Sequence, residues 1–165
     1  MDVIRKIGHN EIVEITNPIL ITQNDGKSRL CGDLRALNNC TKAVRYPIPI
    51  IPYALDELAN AKEITKIDGM KGFHQNVVKP NSMKLLRNIC HMGIYEYTRM
   101  LFGIKNAPAH FQRMMETIFQ EEILESWMVV YIDDIIVYSE RLEDRVQYIE
   151  KVSSKFTPIN LKNFS

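Results

Sequence analysis

The sequence predicts an α+β fold in which helices pack on one face of an antiparallel sheet. Three observations carry this. "VVYIDDIIVYS", residues 129–139, sets two runs of β-branched and aromatic residues about a pair of carboxylates, the pattern of a hairpin. "NAPAHFQRMMETIFQEEILES", residues 106–126, repeats Phe111, Met114, Met115, Ile118, Phe119 and Ile123 at helical spacing and so presents one apolar face. The elements also run as strands, helix, hairpin and helix, not as strictly alternating βα units.

Taken in order, "EIVEITNPILITQ" is extended, with a strand at Ile19 to Thr22, and "NDGKS" is a turn. "RLCGDLRALN" continues as a second strand that leads into a short helical turn. "RYPIPIIPYALDELANA" starts extended, and Pro52 stands where a helix of Tyr53 to Asn60 could begin. "KEITKIDGMKGFHQNVV" opens as a strand, Glu63 to Ile67, that reaches Asp68 at its end, with Gly69 and Gly72 as punctuation. Pro108 suits the first turn of the long helix, where its missing N–H costs nothing. Ser126 ends that helix, a Trp127 to Tyr138 hairpin follows, and "ERLEDRVQYIEKVSSKF" is a second amphipathic helix stopped by Pro158. There is no internal repeat and no low-complexity linker.

A chain of 165 residues that is 45% hydrophobic and 25% charged suits one globular domain, or one domain with a lobe. No apolar run approaches the roughly 20 residues of a membrane span, and "MDVIRKIGHN" lacks a signal-peptide core. The expectation is a soluble, intracellular protein without a membrane partner. Cys31, Cys40 and Cys90 are odd in number and form no C-x-x-C pair, which favours reduced thiols over disulfides or zinc. The four histidines lack metal-ligand spacing. Residues 1–110 carry 15 Lys+Arg against 10 Asp+Glu, whereas residues 111–165 carry 6 against 10. A basic first part could hold phosphates, and scattered surface charge accounts for the same count.

Asp133 and Asp134 are the chemically informative pair. A two-residue hairpin turn prefers Asn-Gly or Asp-Gly, and adjacent carboxylates beside a dry sheet repel unless a cation joins them. The segment is therefore either a solvated acidic turn or a divalent-metal site. Asp68 supplies a third carboxylate if its strand lies beside the hairpin. Such an oxygen-only set suits a hard cation such as Mg²⁺, and two ions held about 4 Å apart serve phosphoryl transfer.

The segments "RLCGDLRALN", "RYPIP", "KIDGMKGFHQ", "GIYEYTRMLFGIKNAPAHFQRMM" and "VVYIDDIIVYS" occur in the order and spacing found in reverse transcriptases. From about Ile12 to Leu161 the chain resembles the polymerase core of gypsy-type LTR retrotransposons. The resemblance implies a right-hand polymerase palm with a fingers subdomain: fingers at residues 1–42 and 76–106, palm at 43–75 and 107–165, thumb absent. It implies that Asp68, Asp133 and Asp134 are the catalytic and metal-binding residues, holding two Mg²⁺, with Mn²⁺ as the alternative ion. Arg29, Phe73, Phe102 and Gly103 correspond to residues that contact the incoming deoxynucleotide, Phe73 as the ring that excludes a ribose 2′-hydroxyl. Tyr131 and Gln112 correspond to positions near primer and template. The implied partners are an RNA or DNA template with its primer, dNTPs, and the remainder of a retroelement polyprotein (thumb, RNase H, integrase).

Several positions depart from the family pattern. Gln23 and Asn24 stand where lysines precede the D-G turn, with Lys27 as a substitute beyond it. Arg87 falls where a buried aromatic is expected, a costly burial unless the charge is paired. Leu101 replaces a proline and Gly69 a leucine. The expectation is an RNA-directed DNA polymerase domain, against two alternatives: a truncated, catalytically silent remnant that folds and binds nucleic acid, and an unrelated metal-dependent phosphotransferase.

Overall fold

The computed structural model describes residues 3–8, 15–16, 18–22, 28–49, 56, 58–59, 61–68 and 72–156. The chain divides into two compact units, residues 1–43 with 73–107 and residues 44–72 with 108–165. Residues 24–27 of the expected turn, Gln23, Gly69, Pro158 and most of the helix expected at 53–60 lie outside the described residues.

In the first unit, β1 (Ile4–Ile7), β2 (Ile15–Thr16), β6 (Arg87–Cys90) and β7 (Gly93–Tyr97) form a sheet in the order β1-β7-β6-β2. β3 (Pro18–Thr22) and β4 (Ser28–Gly32) form a separate antiparallel pair, in register from Pro18 opposite Gly32 to Thr22 opposite Ser28. Three short helices belong here: α1 (Arg35–Cys40), α2 (Gly72–Gln75), whose first residue belongs to the second unit, and α3 (Pro80–Met83). Leu34, Leu86, Tyr97 and Leu101 form the core, with Val3, Leu37, Val78 and Ile104 packed against it. Leu101 thus replaces the family proline with core packing.

Arg87 is buried, as the family pattern implies for that position, and its charge is paired. It stands directly opposite Glu96 on the β6–β7 ladder, with Arg87 Nε 3.1 Å from Glu96 Oε2. Arg5, opposite Glu96 on β1, donates from Nε to Oε1 at 2.6 Å. Burial works against the Glu96 carboxylate, but the hydrogen bonds from Arg5 and Arg87 outweigh it and hold its pKa below the ordinary value. One carboxylate between two guanidiniums therefore satisfies the buried charge.

In the second unit, β5 (Glu63–Asp68), β8 (Met128–Tyr131) and β9 (Asp134–Ser139) form an antiparallel sheet in the order β5-β9-β8. β9 is the central strand, and its Ile135 and Val137 are fully buried. The long helix breaks once. α4 (Ala107–Ile118) ends at Phe119, whose φ of −107° and ψ of 26° leave helical geometry, and α5 (Gln120–Leu124) resumes. Lys155 on α6 (Leu142–Phe156) spans the break, donating to Ile118 O at 3.3 Å and to the buried Glu122 at 2.7 Å. The expected apolar face is present as Phe111, Met115 and Phe119, all buried, while Met114, Ile118 and Ile123 are half-buried at its margins. Among the described residues, no helix is long and apolar enough to cross a membrane.

Candidate active site

The three predicted carboxylates meet at one end of the β5-β9-β8 sheet. Asp68, the last residue of β5, stands opposite Asp134, the first of β9. Opposed residues of an antiparallel ladder have Cα atoms about 4.5–5.5 Å apart. Asp133 lies in the adjoining turn. That turn is not centred on Asp133 and Asp134, as the sequence suggested. Tyr131 pairs with Asp134, so the two central residues are Ile132 and Asp133. The shift by one residue returns Asp134 to the ladder, facing Asp68.

Ile132 has φ of +53°, in the left-handed region. A two-residue hairpin turn with positive φ at its first position normally takes glycine there. A β-branched residue in that region costs about 1–3 kcal/mol and persists only where its surroundings over-determine it. Gln112 supplies that constraint. Its side chain is fully buried; Nε2 donates to Val130 O at 2.9 Å, and Oε1 accepts from the Ile132 N–H at 2.6 Å. The resemblance sets Gln112 near the template, and the structure adds a bracing role. Its amide is engaged inside the protein, bracing the turn that carries Asp133. Tyr131 is half-buried beside the same turn.

The electrostatics distinguish the three acids. Burial, then the neighbouring charges of Asp68 and Asp134, push the Asp133 carboxyl up to about 6. Asp133 Oδ1 is buried without a hydrogen-bond partner. Lys66 Nζ lies 3.0 Å from Asp134 Oδ1. Gly72 is packed so closely that an added Cβ would lie 2.6 Å from Asp133 Oδ1 and 2.9 Å from Phe111 Cζ. An orphaned buried carboxylate oxygen among oxygen-only donors fits a hard divalent cation. Among the described residues, no three His, Cys, Asp or Glu side chains form a metal cage by themselves. The acids thus suit a site whose remaining ligands come from substrate phosphates and water.

The positions linked by resemblance to the nucleotide lie in the first unit. Phe73, on α2, is buried, with its ring 5.0 Å from that of Phe102 in an edge-to-face pair. His74 meets Phe102 edge-on at 5.3 Å, and its Nδ1 lies 3.1 Å from Met100 O. Gly103 has φ of +89°, where a side chain would be strained. Asn38 pins this loop: Nδ2 donates to Gly103 O at 2.7 Å, and Oδ1 accepts from Lys105 N–H at 2.8 Å. Lys105 Nζ in turn donates to Asn38 O and Thr41 O, carbonyls at the C-terminal end of α1. Arg29 sits on β4 opposite Ile21.

Residues 21–163 match a family model described as reverse transcriptase (RNA-dependent DNA polymerase). The chain belongs to the reverse transcriptase family. It is 40% identical over 136 residues to the retrovirus-related Pol polyprotein from transposon 297 of Drosophila melanogaster, covering 82% of this chain and 13% of that protein. To the corresponding polyprotein from transposon gypsy of the same organism it is 35% identical over 134 residues, covering 81% and 13%. The transposon Tf2-3 polyprotein of Schizosaccharomyces pombe (strain 972) is 32% identical over 143 residues, covering 87% and 11%. The chain therefore spans about an eighth of the length of these relatives. In fold it resembles the foamy viral protease-reverse transcriptase dRH in complex with double-stranded DNA, at a TM-score of 0.84 and 23% identity, over 95% of this chain and 27% of that one. The foamy viral protease-reverse transcriptase in complex with an RNA/DNA hybrid matches at 0.78 and 22%, over 94% and 20%. The expected palm-and-fingers class of reverse transcriptases is the fold found. Enzymes of this family generally use divalent metal ions.

Tyr46, Glu116, Asn38, Lys105, Lys66 and the close approach of Gly72 were not singled out as functional from sequence. Only Glu116 left a readable trace there, four residues after Gln112 on one helical face.

Proposed function

We propose that this chain is the RNA-directed DNA polymerase domain of an LTR-retrotransposon Pol polyprotein, adding dNTPs to a primer annealed to an RNA or DNA template. By the resemblance, residues 43–75 and 107–165 then form the palm, and residues 1–42 and 76–106 the fingers. The observation that carries the reading is the placement of Asp68, Asp133 and Asp134 at one sheet end, with Asp133 Oδ1 buried and unpartnered. In the reaction, the primer 3′-hydroxyl attacks the α-phosphate, a new O–P bond forms, and the bond to pyrophosphate breaks.

Asp68, Asp133 and Asp134 would hold two Mg²⁺, which when bound supply positive charge to the attacking and leaving oxygens. The protein's own tasks follow from its geometry. Asp133 is ionised above about pH 6, Lys66 neighbours Asp134, and Gln112 holds the turn in its strained form. Phe102 is exposed and packs edge-to-face on the buried Phe73, and Asn38 holds the adjoining Gly103 loop. By the resemblance, these residues with Arg29 receive the deoxynucleotide, and Tyr131 lies by the primer end.

Among the described residues, Arg87 counted towards the silent-remnant reading, and its charge is paired with Glu96. Gln23 and Asn24, which lie outside the described residues, still favour that reading. Primer extension on an RNA template with Mg²⁺, with a thumb-containing segment of a related polyprotein supplied in trans, decides between them. Extension by the native chain, lost in Asp133→Asn, is the expected result. No extension by either chain would leave the remnant reading standing.

A further inference from the structure

We propose that Glu116 and Tyr46 are positioning residues that set the pose of the Asp133–Asp134 carboxylates through Gln112, an inference that rests on the polymerase reading. The chain of contacts is continuous within the second unit. The Tyr46 hydroxyl donates to Glu116 Oε2 in a short hydrogen bond. Glu116 Oε1 accepts from Gln112 Nε2 at 2.7 Å. The same amide braces Val130 O and the Ile132 N–H on either side of Tyr131.

The donor count gives Glu116 a defined part. A primary amide has two N–H donors and one carbonyl acceptor. Here one N–H serves Val130 O and the other serves Glu116, which leaves Oε1 facing Ile132. A flipped amide would present nitrogen to the Ile132 N–H, donor against donor, and would turn its carbonyl oxygen toward an anionic carboxylate. Glu116 therefore adds to Val130 O and the Ile132 N–H in fixing the orientation in which Gln112 holds a left-handed isoleucine. Tyr46 fixes the carboxylate in turn, and this hydrogen bond raises the phenol's pKa. Tyr46 comes from the extended "RYPIP" segment, remote in sequence, so the brace ties that segment to the catalytic turn. Both residues border an open cleft of about 340 Å³ with Thr117, Gln120, Ile123 and Leu124, so replacing them does not unpack the core.

The test uses the ¹⁵N-labelled full chain and two readouts, amide exchange at Ile132 and Mn²⁺ binding followed by electron paramagnetic resonance. Glu116→Leu is expected to speed Ile132 exchange about tenfold, the worth of one charge-assisted hydrogen bond, with Ile135 and Val137 unchanged. The same variant is expected to weaken Mn²⁺ binding by a similar factor. Tyr46→Phe should show both effects in smaller measure. Glu116→Gln, which keeps an acceptor oxygen, should restore slow exchange at Ile132. Unchanged Ile132 exchange in Glu116→Leu overturns the proposal, as does a uniform rise across β9, which signals general loosening. Faster exchange with unaltered Mn²⁺ affinity also overturns it, because the brace would then not position the acids. Failure of the native chain to bind Mn²⁺ even with a dNTP present to supply phosphate ligands sinks the polymerase reading itself, a pattern distinct from the other three.

Discussion

Asp68 and Asp134 face one another as the last pair of the β5–β9 ladder, in a register that begins with Glu63 opposite Ser139. Because strand residues alternate between faces, a slip of one position would send Asp134 to the opposite side from Asp68. The pairing of Ile64, Thr65, Lys66 and Ile67 with Tyr138, Val137, Ile136 and Ile135 prevents that slip. The geometry of the acid cluster is thus inherited from strand register.

The raised pKa of Asp133 predicts a trade of stability for function. A carboxyl whose folded-state pKa lies above its unfolded value favours the fold at low pH. That contribution is complete below the unfolded value of 3.8 and is lost as pH rises through about 6. Above that range the metal-free fold carries an unfavourable charge, and Asp133→Asn removes it. Thermal unfolding in EDTA at pH 8 should show the variant more stable, by about 2–4 °C for each kcal/mol relieved. The gain should vanish near pH 4, and polymerase activity should be abolished throughout. Equal melting temperatures at both pH values would contradict the assignment.

Gly72→Ala tests the close approach to Asp133. The new Cβ would sit 2.6 Å from Asp133 Oδ1, the movable end of a side chain, and 2.9 Å from Phe111 Cζ on a packed ring. The overlap is relieved most cheaply by swinging the carboxylate. Activity should fall at least about tenfold, while overpacking destabilises by about 1–3 kcal/mol. A soluble variant with a sharply lowered melting temperature would place the main clash at Phe111 instead.

How much of this was legible in the residues depends on range. The hairpin, the strand ending at Asp68 and the helix face of Phe111, Met115 and Phe119 follow from local periodicity, and each was readable. The turn centre was misplaced by one residue because two acids resemble turn chemistry more than an isoleucine does, and no local rule puts Ile132 at positive φ. The bracing role of Gln112 was not legible because its partners, Val130 O and Ile132 N–H, lie 18 and 20 positions away. The same holds for Tyr46, 70 positions from Glu116, and for Arg5, 91 from Glu96. Long-range polar pairing has no period for a sequence to show.

Asn38→Ala should loosen the Phe102–Gly103 loop by removing its hydrogen bonds to Gly103 O and Lys105 N–H. Exposed hydrogen bonds contribute about 0.5–1.5 kcal/mol each, so KM for dNTP should rise about three- to tenfold with kcat less affected. Steady-state primer extension at varied dNTP separates the two parameters. A pure kcat loss would mean that the loop does not receive the nucleotide.

The Arg5–Glu96–Arg87 group predicts an asymmetric response to mutation. Glu96→Leu leaves two guanidiniums facing each other, one of them buried, and removing one partner of a buried pair costs about 3–5 kcal/mol. Arg87→Leu leaves Glu96 still bonded to Arg5, so the loss should be smaller. The pH dependence runs opposite to that of Asp133. Glu96 has a depressed folded-state pKa, so its contribution is complete above the unfolded value of 4.5 and is lost as pH falls through the lower folded value. Urea unfolding of the native chain and both variants between pH 3 and pH 7 would measure this. The native chain should lose stability toward acid, and Glu96→Leu, already weakened, should lose less over the same range. If Glu96→Leu proves no worse than Arg87→Leu at pH 7, the carboxylate is not the hub, and the two arginines must be satisfied in some other way.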